Sequence, residues 1–141
     1  MVWGSVVILD LDRFKEVTKS RGWTEYKPNI ITGELSHLVD AFVRKWSAHL
    51  VYGLDWDRGT EEAVIEIPGV TPDEIKEDLE LIRRRIEELG ASISIGVAYG
   101  PILGFKARGR RGAYSGATRR LALKALKEAK RLGGNKIIII G

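Results

Sequence analysis

An α+β sandwich, with about five strands and helices packed on one face of the sheet, is what this sequence predicts. Short β-branched and apolar runs alternate with segments whose apolar residues recur at a 3.6-residue spacing. Gly and Pro close several of these segments, at Pro68-Gly69, Gly90 and Gly133-Gly134. At 141 residues, 44% hydrophobic and 30% charged, the chain suits one globular domain spanning 1–141.

The first strand is read from Val6-Val7-Ile8-Leu9-Asp10-Leu11-Asp12-Arg13-Phe14-Lys15, an apolar run ending on two carboxylates two residues apart. Strand side chains alternate faces, so Asp10 and Asp12 point the same way at its C-terminal end. Hard oxygen ligands followed by a Lys and a helix start are what a magnesium–phosphate site needs. A strand ending in a solvated acidic turn, with Asp12 capping the next helix, is the plainer reading of the decapeptide alone. Arg13–Ser20 suits a short helix closed by Gly22, and Trp23–Ile31 an irregular segment over the end of the sheet. Thr32 can cap a helix to about His49, with Leu35, Leu38/Val39, Phe42, Trp46 and Leu50 on its apolar side. His37 and His49 read as surface or packing residues.

Leu50–Trp56 reads as a strand, 57–60 as a turn and Glu61–Ile67 as the hairpin partner. Thr71-Pro72-Asp73-Glu74 starts a helix by local chemistry: Thr caps, Pro takes the first position and Glu closes a capping box. Ile75, Leu79, Ile82, Ile86 and Leu89 mark its apolar stripe. Ser92–Tyr99 is the next strand, and Gly100–Gly116 a Gly-rich loop carrying Lys106, Arg108, Arg110 and Arg111. Thr118–Leu132 is a helix with Leu121, Ala122, Ala125, Ala129 and Leu132 inward, and Lys136–Ile140 a final strand. The order β-α-α-β-β-α-β-α-β is that of a ferredoxin-like, polymerase-palm sandwich.

Composition narrows the function classes. There is no Cys, hence no disulfide framework and no thiolate chemistry. No apolar run approaches ~18 residues and no signal peptide is visible, so a cytoplasmic protein with no membrane partner is expected. Abundant Lys, Arg and Glu, with no Gln and a single Met, resemble thermophile usage. Charge is unevenly placed: 106–141 carries a net +10 and 1–105 a net −6, within an overall +4. A polyphosphate or nucleic acid would use both signs, through metal and through direct cation contacts.

Three segments carry a resemblance. Asp10-Leu11-Asp12-Arg13-Phe14-Lys15 is similar to D-x-D-x-F-K, and Ser92-Ile93-Ser94-Ile95-Gly96-Val97-Ala98 to an S-x-G-x-A strand. Residues 122–135 (ALKALKEAKRLGGN) are similar to A-D-x-A-L-Y-x-A-K-x-x-G-R-N. In this order and spacing, over nearly the whole chain, they resemble the GGDEF family, whose typical members are diguanylate cyclases with a palm-type fold. The family's signature then falls on Gly59-Thr60-Glu61-Glu62-Ala63 in degenerate form. Thr60 replaces a glycine that lets the backbone approach the nucleotide, and its side chain is expected to obstruct that approach.

The resemblance implies a division of labour. Asp10 would bind magnesium or manganese, with the Leu11 carbonyl and a carboxylate from the hairpin. Glu61 and Glu62 are the catalytic candidates; being adjacent, only one should face the site, and the family's ligand position is Glu61. Asp12, Phe14, Lys15, Thr18, Gly59 and Thr60 would lie along the nucleotide. Thr18 stands roughly where the family has a guanine-contacting Asn, and the later base-binding Asp has no match. Lys130 matches the phosphate-binding Lys. Its partner Arg is Gly134 here, with Arg110, Arg111 or Arg131 as substitutes. Trp23 or Tyr26 could stack on a base, a packed loop aromatic being the plainer reading.

The expected function is binding of a nucleoside triphosphate, GTP first, with a divalent metal and with nucleotidyl cyclase or transferase chemistry altered or lost. One alternative is a non-catalytic module for a nucleotide or cyclic nucleotide. Another is a nucleic-acid-binding domain using the basic segment 106–136 and the loop Gly104–Gly116, which interleaves Phe105 and Tyr114 with four cations as single-strand binders do. A palm-fold hydrolase of the GTP cyclohydrolase type is a further one. A homodimer is compatible with all of them.

Overall fold

The structure, a computed structural model, describes residues 2–24, 27–104 and 107–141. Its elements in chain order are β1 (Trp3–Leu11), α1 (Phe14–Ser20), α2 (Ile30–Trp46), β2 (His49–Tyr52), β3 (Glu62–Pro68), α3 (Pro72–Glu88), β4 (Ile93–Pro101), α4 (Arg110–Ala113), α5 (Ala117–Arg131) and β5 (Ile137–Ile140). The sheet runs β2-β3-β1-β4-β5 and is antiparallel except for the β4–β5 pair. Its first four strands, with α2 and α3, make the ferredoxin-like, palm-type core that the element order predicts. No helix among the described residues is long and apolar enough to cross a membrane.

The expectation of helices on one face is corrected. Residues 6–9 are all fully buried, so β1 is apolar on both sides and both sides need cover. Val7, Leu9 and Leu11 belong to the core under α2 and α3, whereas Val6 and Ile8 pack with Ala122 and Leu126 of α5. Gly96 on β4 permits the second layer. A Cβ there would stand 2.3 Å from the Ala122 carbonyl oxygen and 2.4 Å from the Leu126 nitrogen. The helix lying so close presents Ala122, Ala125, Leu126 and Ala129 inward, while Leu121 and Leu132, expected inside, are 38% and 46% exposed.

Helix ends follow local chemistry. Glu74 accepts from the Thr71 N–H at 2.8 Å, and α3 buries Ile75, Leu79, Ile82 and Ile86. Fully burying each such side chain contributes ~1.5–3 kcal/mol. The cap of α2 is Asn29 rather than Thr32: Asn29 Oδ1 accepts from the Ile31 and Thr32 N–H groups at 2.9 Å each. Thr32 Oγ1 instead accepts from the Asn29 N–H at 3.0 Å, so the expected cap is the third residue of a capping box. β2 stops at Tyr52, short of the expected Trp56, and the chain from 53 to 61 turns back toward α2.

Candidate functional site

Three elements converge at the C-terminal end of β1. The register sets Asp10 opposite Glu62 on β3 and opposite Ser94 on β4, so all three lie on the face that α5 covers. From the last turn of α5, Lys130 Nζ reaches Asp10 Oδ2 at 3.2 Å, Asp12 Oδ1 at 3.0 Å and the Leu11 carbonyl at 3.4 Å. Asp12 ties the arrangement together. It accepts from Ser92 Oγ at 2.8 Å, Ser94 Oγ at 2.6 Å and the Asn135 N–H at 2.8 Å, besides Lys130. Asp12 therefore does not cap α1, whose first residue follows a left-handed Arg13 with no side-chain cap.

Gly134 belongs to the same device. It has φ +77°, and a Cβ there would come within 2.7 Å of Asp12 Oδ2. The Arg that the family pattern places at this position is incompatible with Asp12 lying where it does. A cation arrives from another direction: α4 brings Arg110, whose Nε donates to Glu62 Oε1 at 2.6 Å, and the following Tyr114 donates its hydroxyl to Glu62 Oε2 at 3.3 Å.

The electrostatics follow from this packing. Burial pushes Asp10 up to about 6, with Glu62 and Asp12 adding to the rise, against the opposing charge and hydrogen bond of Lys130. Burial acts upward on Asp12 too, but the hydrogen bonds from Ser94, Ser92, Asn135 and Lys130 outweigh it and leave its pKa below the ordinary value. Tyr114 is raised, first by burial and then by Glu62 and Asp10. Among the described residues, no group of three or more His, Cys, Asp or Glu side chains is gathered closely enough to hold a metal ion.

The other expected site residues are scattered. Glu61 precedes β3, and its main-chain carbonyl accepts from the Leu11 N–H at 3.0 Å; the residue opposite Asp10 is Glu62. Phe14 is a core residue and Lys15 is exposed. Thr18 is 3% exposed and donates its hydroxyl to the Phe14 carbonyl within α1, which withholds it from a base. Thr60 is fully buried, its hydroxyl 2.7 Å from Ser36 Oγ and accepting from the Asp55 N–H at 3.2 Å. The expected obstruction by Thr60 is thereby corrected, because the side chain is turned into the protein against α2. Gly59 packs on Thr32 and Pro28. Of the three substitute cations, Arg110 alone comes to the acidic pair; Arg111 is exposed and Arg131 pairs with Glu128. Trp23 packs on the core under Arg21, and Tyr26, Phe105 and Lys106 lie outside the described residues. Tyr114, read as one of two aromatics interleaved with the loop cations, points its hydroxyl at Glu62.

Two features escaped the sequence reading. Ser92 and Ser94 stand in an S-I-S-I alternation that places both on one face, which signals a polar lining at the strand's start. Glu66 and Arg119, each 1% exposed at the side chain, form a buried ion pair at 3.1 Å. A charged residue three positions before Ala122 on an inward helical stripe was the available sign of it.

No family model and no curated protein matches the chain. Solved structures do. The GGDEF domain of DgcB from Caulobacter crescentus, in complex with c-di-GMP, aligns over 98% of this chain and 78% of that one, with 21% identity and a TM-score of 0.62. The active GGEEF domain of a diguanylate cyclase from Vibrio cholerae aligns over 97% and 82%, with 21% identity and a TM-score of 0.62. The Csm1–Csm4 cassette in complex with cA4 is similar at a TM-score of 0.56 and 17% identity, over 99% of this chain but 21% of that one. At these identities the likeness is one of architecture, and the chain has the fold of a GGDEF domain.

Proposed function

We propose that this chain binds the phosphates of a nucleotide, either a nucleoside triphosphate or a cyclic nucleotide, at the C-terminal end of β1 with magnesium or manganese. The observation that carries the reading is Lys130, oriented by Asp10, Asp12 and the Leu11 carbonyl. It lines a pocket of about 180 Å³ together with Asp12, Arg13, Gly133 and Gly134. That is below the ~300 Å³ of a small-molecule pocket and suits a phosphate group rather than a whole nucleotide. Lys130 would neutralise non-bridging phosphate oxygens, and Arg110 would offer them a planar fork on leaving Glu62.

Asp10, the Leu11 carbonyl and Glu62 would hold the metal, with Glu61 as the neighbouring carboxylate. They fit it in donor type, all hard oxygens, and the raised pKa of Asp10 means that its charged form gains from a cation close by. The metal, when bound, supplies Lewis-acid polarisation of a phosphate oxygen. Nucleotidyl cyclase or transferase turnover is the finer reading of the same residues. With Thr18 buried, the reading is for phosphate before base. DgcB is found with c-di-GMP and Csm1–Csm4 with cA4, which makes GTP and ATP equal first probes.

Calorimetric titration of GTP and ATP with manganese tests it, with products resolved by mass spectrometry. Lys130→Ala should weaken nucleotide binding at least ~10-fold, because a hydrogen bond to a charged group contributes ~1.5–3 kcal/mol. Thermal melts in the same buffer establish that the variant is folded. Equal affinity in folded wild type and variant would sink the assignment.

A further inference from the structure

The basic segment is not used up by the site. Helix α5 carries Arg119, Arg120, Lys124, Lys127, Lys130 and Arg131, with Glu128 as its one acid. Arg119 is committed to Glu66 inside the protein and Lys130 to the acidic end of β1. The remaining four, Arg120, Lys124, Lys127 and Arg131, are exposed. They recur at spacings of four, three and four residues, which puts them in one row. The row extends ~16 Å along the helix at its rise per residue. Among the described residues, Arg120, Lys124 and Lys127 have no ion-pair partner, and only Arg131 is paired, with Glu128.

This row breaks two local rules for a stable helix. Like charges at three- and four-residue spacings repel. The first turn of α5 has no acidic residue, and Arg119 and Arg120 lie there, where the helix dipole favours negative charge. Local rules broken consistently in one direction point to a compensating partner. We infer that the outer face of α5 binds the phosphodiester backbone of a nucleic acid through Arg120, Lys124 and Lys127.

Two features choose this occupant. The exposed residues of α5 include no aromatic, so there is no platform for stacking bases, and contact falls on the phosphates irrespective of sequence. A membrane-lying helix needs a continuous apolar face, whereas the apolar side of α5 is closed against the sheet. Its exposed Leu121 stands alone among the cations.

The test is fluorescence anisotropy with a labelled single-stranded RNA of about 20 nucleotides and a duplex DNA of about 20 base pairs, between ~50 and ~200 mM NaCl. Wild type should bind with a log–log salt slope of about −2 to −3, since each phosphate neutralised contributes ~0.7–0.9. The triple variant Arg120→Gln, Lys124→Gln, Lys127→Gln should lose at least ~10-fold in affinity at low salt and flatten the slope by about 2. Circular dichroism should find its helix content unchanged, and its manganese–GTP titration should match wild type. Equal affinity for both probes assigns the contact to phosphates alone; preference for one names the nucleic acid. Wild type that binds neither probe, or a triple variant with unaltered slope, overturns the inference. So does equally tight, equally variant-sensitive binding to phosphatidylserine vesicles or to poly-glutamate.

Discussion

Thr60 illustrates how one residue can mislead when read only against a pattern. In the degenerate signature it stands for a glycine, and the substitution suggests a side chain in the nucleotide's way. The folded chain turns the hydroxyl inward, to Ser36 Oγ at 2.7 Å and the Asp55 N–H at 3.2 Å, while the Thr60 N–H donates to the Thr32 carbonyl at 3.1 Å. Thr60 fastens the hairpin loop to the start of α2. Restoring the pattern with Thr60→Gly should therefore destabilise the protein by ~1–3 kcal/mol, the cost of leaving buried polar groups unpaired. Nucleotide affinity should not rise. Urea unfolding and calorimetry read the two effects separately, and tighter binding at unchanged stability would restore the obstruction reading.

At the scale of elements, the Glu66–Arg119 pair joins three pieces of chain. Glu66 on β3 accepts from Arg119 Nε at 3.1 Å and from the Leu103 and Gly104 N–H groups at 3.2 and 2.9 Å. Arg119 also donates to the Gly112 carbonyl at 3.1 Å, which fixes the segment that carries Arg110. His49 is the cross-strand neighbour of Glu66 on β2. Burial acts upward on Glu66, but Arg119 and the two N–H groups overcome it and hold its pKa below the ordinary 4.5. A carboxylate depressed in the folded state contributes stability above its unfolded pKa and loses it as pH falls through the folded one. Wild type should lose stability on acidification below the ordinary value, and Glu66→Gln should flatten that part of the profile. At neutral pH the variant should be destabilised by ~3–5 kcal/mol, because Arg119 stays buried without its counter-charge. Denaturant unfolding from acid to neutral pH measures both; an unchanged acid slope in Glu66→Gln would refute the linkage.

The whole molecule explains which features were legible in the sequence. The cap at Thr71-Pro72-Glu74, the stripe of α3 and the strand ending in Asp10 are written in neighbouring residues, and the structure reproduces the cap and both elements. Alternation alone also foretold that Asp10 and one hairpin carboxylate share a face. Which one, Glu62, depends on a pairing between β1 and β3 that no local pattern contains. The second helical layer was signalled by the unbroken apolar run of β1 and by the small residues of α5, but only Gly96, more than twenty positions away in the chain, shows how closely the two approach. That approach makes the site a property of one layer. Lys130 rides on the end of α5, while α2 and α3 support the other face. Gly96→Ala, whose Cβ meets backbone at 2.3 Å, must push α5 off the sheet, an overpacking cost of ~1–3 kcal/mol or more. Leu79→Ala in the opposite layer costs ~2–5 kcal/mol by leaving a cavity. Both variants should melt earlier, yet only Gly96→Ala should lose nucleotide affinity when both are titrated well below their melting temperatures. Equal loss of affinity in both would mean that the site is set by the stability of the whole sandwich rather than by the seating of α5.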